Sequence, residues 1–325
     1  MGDERHDEQT PLEHPPVPPG RPSGPPPGPR DPGDAWAYGP DGRKAWGLFG
    51  AAGLLVDDGA GRVLLQHRVE WSHYGGTWGI PGGARHQHED AVRGALRESA
   101  EEAGVPAAAL HVRATSVLDL DFWTYTTVLA TATRPFEPVL GDRESLALEW
   151  VPVGAVDALP LHPGFGSSWP ALRQALDVRP TIIVDAANVV GSEPDGWWRD
   201  RAGAAARLLA GVQAIAHEGT PASMLGLPFA HWWPRWNVVL EGAARAADDP
   251  SGRGAEHAMS ASSAAVEVTI APGSGDDAIV ETTRRAIEIG AAPAYVVTAD
   301  RQLRDRVSAL GAETIGPRWL RERLP

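Results

Sequence analysis

Between Trp78 and Val105 the chain joins a glycine-rich turn to a helix with an acidic face, and this stretch limits the fold more than any other. Trp78-Gly79-Ile80-Pro81-Gly82-Gly83 is a rigid turn that permits positive φ at its glycines. Glu89–Ala103 reads as a helix, with Ala91, Val92, Ala95 and Leu96 as its apolar stripe and Gly104 as its C-cap. Spacings of three and four place Glu98, Glu101 and Glu102 on one face. Three adjacent carboxylates repel one another unless something neutralises them, and an oxygen-only set suits Mg²⁺ or Mn²⁺. The helix alone equally describes a solvated, Glu-rich surface with Arg93 and Arg97 as i,i+4 partners. Upstream, Ala51–Val56 and Arg62–Gln66 read as two strands around the turn Asp57–Gly61.

The spacing of the whole stretch decides between these readings. Five residues separate Gly83 from Glu89, and seven separate Glu89 from Arg97-Glu98. Ser99, Ala100, Glu101-Glu102, Ala103, Gly104 and Val105 follow. This run resembles the Nudix box, G-x5-E-x7-R-E-U-x-E-E-x-G-U with U aliphatic, and the preceding Trp-Gly-Ile-Pro-Gly-Gly is similar to that family too. Ser99 in the first U position is the one departure; it bears on helix packing, not on chemistry.

The resemblance covers about residues 44–176 and implies an α/β/α sandwich with a mixed sheet. It implies water attack on a phosphorus of a nucleoside diphosphate linked to another moiety, with Mg²⁺ (or Mn²⁺) as cofactor and a nucleotide as substrate. Glu98 and Glu102 would be the core metal ligands, with Glu101 beside them and the Gly83 carbonyl as a further ligand. Arg97 would orient Glu98, and Glu89 would support the loop. The general base in relatives is either a box glutamate, here Glu98 or Glu101, or a glutamate of a later loop. Glu144, five residues before Glu149-Trp150, is that later candidate; the other reading is an ordinary surface glutamate. Trp71, His73, Tyr74, Trp78 and Trp123 can stack a base or pack the core. His86 and His88 fall in the x5 loop and read as solvent-facing.

Composition divides the 325-residue chain. Twelve of the 30 prolines lie in residues 1–40, so residues 1–44 read as a disordered, Pro-rich tail. Two domains are then expected, a Nudix domain over 45–176 and a second over 178–325. Net charge is −3 over 1–44, −6 over 45–176 and −4 over 181–325. No segment is a basic block, which argues against a non-specific duplex binder. The absence of cysteine excludes disulfides and zinc–thiolate sites. The longest apolar run, Ala45–Val56, is too short to span a bilayer, and no signal peptide is legible at the N-terminus; a cytoplasmic protein without membrane attachment is expected.

The second region alternates strand and helix, which argues for a mostly parallel α/β sheet. Strands are expected at Ile182–Val184, Asn237–Leu240, Ala265–Ile270, Tyr295–Thr298 and Glu313–Ile315, and helices at Arg199–His217 and Asp276–Gly290. The carboxyl edge of such a sheet would gather Asp185, Glu241, Asp276, Asp277 and Asp300, either as a divalent-metal site or as helix caps. Asp185 stands at no obvious cap. Val-Asp-Ala-Ala-Asn-Val-Val-Gly, Gly-Ser-Gly-Asp-Asp-Ala-Ile-Val-Glu and Val-Val-Thr-Ala-Asp-Arg-Gln-Leu resemble the PIN-like NYN fold of the YacP type. That resemblance implies an RNase or RNA-processing module, with Asp185, Asp277 and Asp300 holding the metal, Asn188 and Asp276 nearby, and Asp305 as a fourth acid. Residues 219–264 depart from a compact pattern, and their Trp232, Trp233 and Trp236 either stack single-stranded RNA or pack under a loop. Three functions follow: a metal-dependent Nudix pyrophosphohydrolase, a nucleotide-sensing Nudix module that regulates a C-terminal ribonuclease, or that ribonuclease as the main catalyst. Oligomeric state is not legible.

Overall fold

A computed structural model describes residues 31–40, 42–141, 143–192, 197–247 and 266–325. The chain opens with a hairpin of β1 (Trp36–Tyr38) and β2 (Lys44–Trp46), in which Trp36 faces Trp46. The expected tail boundary at residue 44 therefore falls inside a paired strand. The proline count hid three aromatic side chains, Trp36, Tyr38 and Trp46, that the hairpin carries. The rest of the expected tail, residues 1–30, lies outside the described residues.

The first large sheet is built from β3 (Ala51–Asp57), β4 (Arg62–Arg68), β5 (Trp78–Gly79), β6 (Gly82–Ala84), β7 (Leu110–Asp119), β8 (Thr124–Ala132) and β9 (Ser145–Pro152). Two helices flank it, α1 (Ala91–Ala103) and α2 (Pro163–Ala175). β3 runs parallel to β8 and antiparallel to β4 and β6, so the sheet is mixed. All seven residues of β3 are buried, as a strand covered on both faces requires. Ala52, Leu54 and Val56 share one core with Ala95 and Ala103 of α1. Leu55 shares the other with Trp169 and Leu172 of α2.

The second half contributes β10 (Thr181–Asp185), α3 (Ala186–Gly191), α4 (Arg201–Glu218), β11 (Thr220–Pro221), β12 (His231–Trp232), β13 (Arg235–Leu240), β14 (Val266–Ile270), α5 (Gly275–Glu288), β15 (Ala294–Val297), α6 (Arg301–Ser308), β16 (Glu313–Ile315) and α7 (Pro317–Arg321). Five of these strands form a wholly parallel sheet in the order β14-β13-β10-β15-β16. Chain order reverses between β10 and β15, the kind of switch point at which parallel sheets place their ligand sites.

The two halves are not separate modules joined by a linker. β12 leaves the second half and pairs with β7 of the first sheet, Trp232 against Ala114 and His231 against Thr115. β11 extends the same edge. Trp232 is fully buried and its Nε1 donates to the Pro228 carbonyl at 2.7 Å. Trp233 enters the α1-side core, and its Nε1 donates to the His217 carbonyl at 3.2 Å. Trp236 is buried as well. All three indoles are buried in the core, so the RNA-stacking reading of this cluster fails on burial. The Asp248–Ser263 loop lies outside the described residues.

A buried ion pair pins the junction. Arg113 Nη1 lies 2.6 Å from Asp57 Oδ2, and Nη2 donates to the carbonyls of Ala175, Leu176 and Val178 at 2.8, 3.1 and 2.8 Å. Arg179 adds a second cation 3.6 Å from Asp57. Burial pushes the Arg113 guanidinium down to about 10, against the opposing pull of Asp57. Among the described residues no helix is long and apolar enough to cross a membrane.

Candidate active site

α1 runs from Ala91 to Ala103, so it ends where its spacing predicts and starts two residues later than the expected Glu89, which lies in the preceding loop. Asp90 caps it by accepting from the Arg93 amide at 2.9 Å, and Gly104, at φ 64°, ends it by donating to the Ala100 carbonyl. Ser99 is fully buried and its Oγ donates to the Ala95 carbonyl at 2.6 Å, so the one departure from the box pattern is absorbed by the helix itself.

Arg97 organises the entrance of the helix. Its Nε and Nη2 grip the two oxygens of Glu89 at 2.9 Å each, and Nη2 also donates to the Ala84 carbonyl at 3.0 Å. Glu89 in turn accepts from the His86 amide at 3.0 Å, which pins the loop ahead of the helix. Burial alone would raise the Glu89 carboxyl, yet Arg97 and the His86 amide hold it below its ordinary value. The remaining Nη1 of Arg97 donates to Glu98 Oε1 at 2.7 Å.

Glu98 is thus aimed from one side by Arg97 and met from the other by Gly83. A Cβ at Gly83 would lie 2.6 Å from Glu98 Oε2, so a larger residue there would push the carboxylate from this position. Burial raises the Glu98 carboxyl; Arg97 opposes this, while Glu101 and Asp34 reinforce it. Asp34 belongs to the stretch expected to be disordered, and no spacing signal in the sequence pointed to it.

Glu102 is buried at the back of the same face, with Oε2 accepting from the Gly82 amide at 3.0 Å. Gln66 on β4 stands 3.4 Å from that oxygen and donates to Ser145 Oγ at 2.7 Å. Glu144 immediately precedes Ser145, and its carbonyl accepts from the Val69 amide at 2.9 Å. The loop of the base candidate is therefore linked to Glu102 through two side chains that the sequence did not flag. Glu101 instead keeps 63% of its side chain exposed, 3.7 Å from Arg97. Glu149 is exposed on β9.

Among the described residues, no three His, Asp or Glu side chains stand grouped to hold a metal ion. The donor set still fits one. Glu98 and Glu102 are carboxylates drawn under cover beside a glycine backbone, and an all-oxygen set of this kind suits Mg²⁺ or Mn²⁺.

Of the aromatic candidates, Trp78 is buried and stacked on His67 at 4.6 Å, which is packing. Trp123 donates its Nε1 to the Trp46 and Gly47 carbonyls, anchoring the first hairpin. Trp71 and Tyr74 stay exposed, and Tyr74 belongs to a run of rings from Trp46 through Trp36 and His73 to His162.

The acidic edge of the second sheet has a different local logic. Asp185 is itself a helix cap: Oδ1 accepts from the Asn188 amide at 3.0 Å, and Oδ2 from Thr298 Oγ1 at 2.8 Å. The expectation that Asp185 stands at no cap is corrected here, because α3 starts directly from the strand end. Asn188 Oδ1 accepts from the Ala299 amide at 2.8 Å. Asp300 caps α6 through the Leu303 amide at 2.8 Å, and Glu241 accepts from the Gly275 amide at the start of α5, also at 2.8 Å. Asp277 pairs with Arg306 at 2.6 Å. Asp305 lines an open cavity of about 420 Å³ with Arg301, Arg304, Ser308 and Thr314. Burial raises the Asp185 and Asp276 carboxyls; Asp276 and Glu241 add to the rise at Asp185, and Asp300 and Glu241 to that at Asp276. The acids do gather at one edge, and helix N-termini already occupy Asp185, Glu241 and Asp300.

The model of the NUDIX domain matches residues 47–172. A Mycobacterium tuberculosis protein named "Putative 8-oxo-dGTP diphosphatase 3" is 51% identical over 156 residues, covering 45% of this chain and 71% of that protein. The chain belongs to the Nudix family. It is a hydrolase acting on phosphoanhydride bonds. A "Nucleoside triphosphate pyrophosphatase/Nudix hydrolase fusion protein" of Bifidobacterium longum is 41% identical over 154 residues, covering 45% of this chain but 32% of that larger Nudix protein. The crystal structure of a Nudix hydrolase from M. smegmatis is 47% identical, with a TM-score of 0.42, covering 44% of this chain and 95% of that one.

Proposed function

We propose that this Nudix chain hydrolyses nucleoside triphosphates to the monophosphate and pyrophosphate, with oxidised purine nucleotides as preferred substrates. The arrangement of Arg97, Glu98 and Glu102 against Gly83 carries the reaction type. The 51% identity to a relative named for 8-oxo-dGTP supports the substrate class.

In this reading Glu98, Glu102 and the Gly83 carbonyl hold Mg²⁺ or Mn²⁺, with Glu101 completing the set from its exposed position. The bound cation supplies neutralisation of the polyphosphate and a lowered pKa for the attacking water. Arg97, clamped by Glu89, keeps the Glu98 carboxylate from turning away. Glu144 takes the proton of the attacking water, from a loop fixed by Ser145 and Val69. The exposed rings Trp71 and Tyr74 are the candidates for stacking the base. The proposed units are a Nudix unit over 45–176 led by the β1–β2 hairpin, and a parallel-sheet unit over 178–325 that resembles the PIN-like fold. The second unit enters as the scaffold that closes the β7 edge.

The test is product analysis on a panel with Mg²⁺ and with Mn²⁺: 8-oxo-dGTP, unmodified nucleoside triphosphates, ADP-ribose, NADH, nucleotide sugars and triphosphorylated RNA. Pyrophosphate release from 8-oxo-dGTP is expected at a kcat/KM at least about tenfold above dGTP, a difference of about 1.4 kcal/mol in transition-state binding. Preferential turnover of ADP-ribose or a nucleotide sugar would refute the substrate assignment.

A further inference from the structure

Gln66 is a glutamine where the core has no evident use for one. It lies on β4 between Gly79 of β5 and Leu148 of β9, with no exposed surface. Its Nε2 donates to Ser145 Oγ at 2.7 Å and stands 3.4 Å from Glu102 Oε2, while its Oε1 has no hydrogen-bond partner among the described residues. A buried amide with an orphaned acceptor is destabilising, so an apolar residue of the same size would serve the fold better. What an apolar residue cannot do is bridge α1 and β9. On one side Gln66, with the Gly82 amide at 3.0 Å, fixes Oε2 of Glu102. On the other side it holds Ser145, the residue that follows Glu144.

We propose that Gln66 is a positioning residue for the hydrolytic reaction: it sets the Glu102 carboxylate and the start of β9 in one register, so that the cation ligand and the base candidate keep a fixed separation. This inference rests on the functional reading above. Partners that hold a metal-binding carboxylate affect metal affinity or turnover by about 10–100-fold when lost.

The experiment compares the full-length wild type with Gln66→Met, which keeps the side-chain length and removes both amide groups, and with Ser145→Ala. Three quantities are read: kcat and KM with Mg²⁺, Mn²⁺ affinity by electron paramagnetic resonance without substrate, and melting temperature. Gln66→Met is expected to lower kcat by about 10–100-fold with KM within about threefold, to weaken Mn²⁺ binding by about tenfold, and to leave melting unchanged or raised. Ser145→Ala is expected to lower kcat less and leave KM unmoved, and the double variant to be no worse than Gln66→Met alone. Unchanged kcat and Mn²⁺ affinity in Gln66→Met, or additive losses in the double variant, would overturn the inference. If Gln66→Met melts early, Ser145→Ala decides, and a loss of kcat at constant KM there upholds the bridge whereas wild-type kcat refutes it. If no substrate is turned over by the wild type, the functional reading has failed, and the Mn²⁺ comparison still decides whether Gln66 sets the Glu102 site.

Discussion

Glu102→Gln is expected to lower kcat for phosphoanhydride hydrolysis by on the order of a thousandfold while leaving the fold intact. Glu102 is buried, and its Oε2 already accepts from the Gly82 amide and faces Gln66. Glutamine preserves that shape, and its carbonyl oxygen can still accept from Gly82. What is removed is the negative charge beside Glu98. Charge supplied to a bound cation accounts for several kcal/mol of transition-state stabilisation, and about 4 kcal/mol corresponds to a thousandfold in rate. Because the loss falls on the transition state, kcat and kcat/KM should drop together. The melting curve should stay within about 1 °C of wild type or rise, since a buried charge is removed while the Gly82 hydrogen bond is kept. A kcat within about threefold of wild type would place the reaction elsewhere.

Arg113→Met is expected to have the largest effect on stability, about 3–5 kcal/mol, the range for breaking one partner of a buried ion pair. The arginine is nearly inaccessible and serves Asp57, Thr131 and three carbonyls of the junction at once. Methionine fills much of the volume but removes the cation 2.6 Å from Asp57, which keeps Arg179 at 3.6 Å, the Thr131 hydroxyl at 2.8 Å and the Gly59 amide at 3.0 Å, and takes one donor from each of three carbonyls. Urea unfolding followed by fluorescence should show a lower midpoint at constant slope. The pair can be separated from the volume change by a double variant. Asp57→Asn with Arg113→Met should cost less than the sum of the two singles by at least about 1 kcal/mol, because residues in contact are not additive. A loss below about 1 kcal/mol for Arg113→Met would mean that the junction is held by β12 and the tryptophans alone.

What was legible in the sequence was local. α1, its C-cap and its glutamates follow from spacings within about 25 residues, and the structure keeps them because a helix fixes which side chains share a face. Strands β3, β4, β10 and β13–β16 were legible for a related reason: each is a short apolar or alternating run bounded by turn residues. What was not legible depends on contacts between distant residues. β12 has two residues, and nothing in His231-Trp232 announces that they pair with β7. Arg113 and Asp57 are 56 positions apart, and the charge of either reads as surface until the fold brings them together. Gln66 and Ser145 are 79 apart, and neither belongs to a motif. The β1–β2 hairpin is hidden by the prolines that precede it and by composition averaged over 44 residues. Asp185 was misread because the strand end and the helix start coincide, which makes one carboxylate both the last strand residue and the first cap.

The most direct measurement is the initial rate of phosphoanhydride hydrolysis by the full chain as a function of Mg²⁺ concentration, for wild type and Glu98→Gln. Glu98 is the carboxylate that Arg97 aims at 2.7 Å and that a larger residue at position 83 would push aside. Wild type should show no turnover under chelator and a saturable rise with Mg²⁺, and Glu98→Gln should stay flat over the same range. A wild-type rate that persists under chelator, or a Glu98→Gln curve that follows wild type, would contradict metal-dependent hydrolysis at this helix.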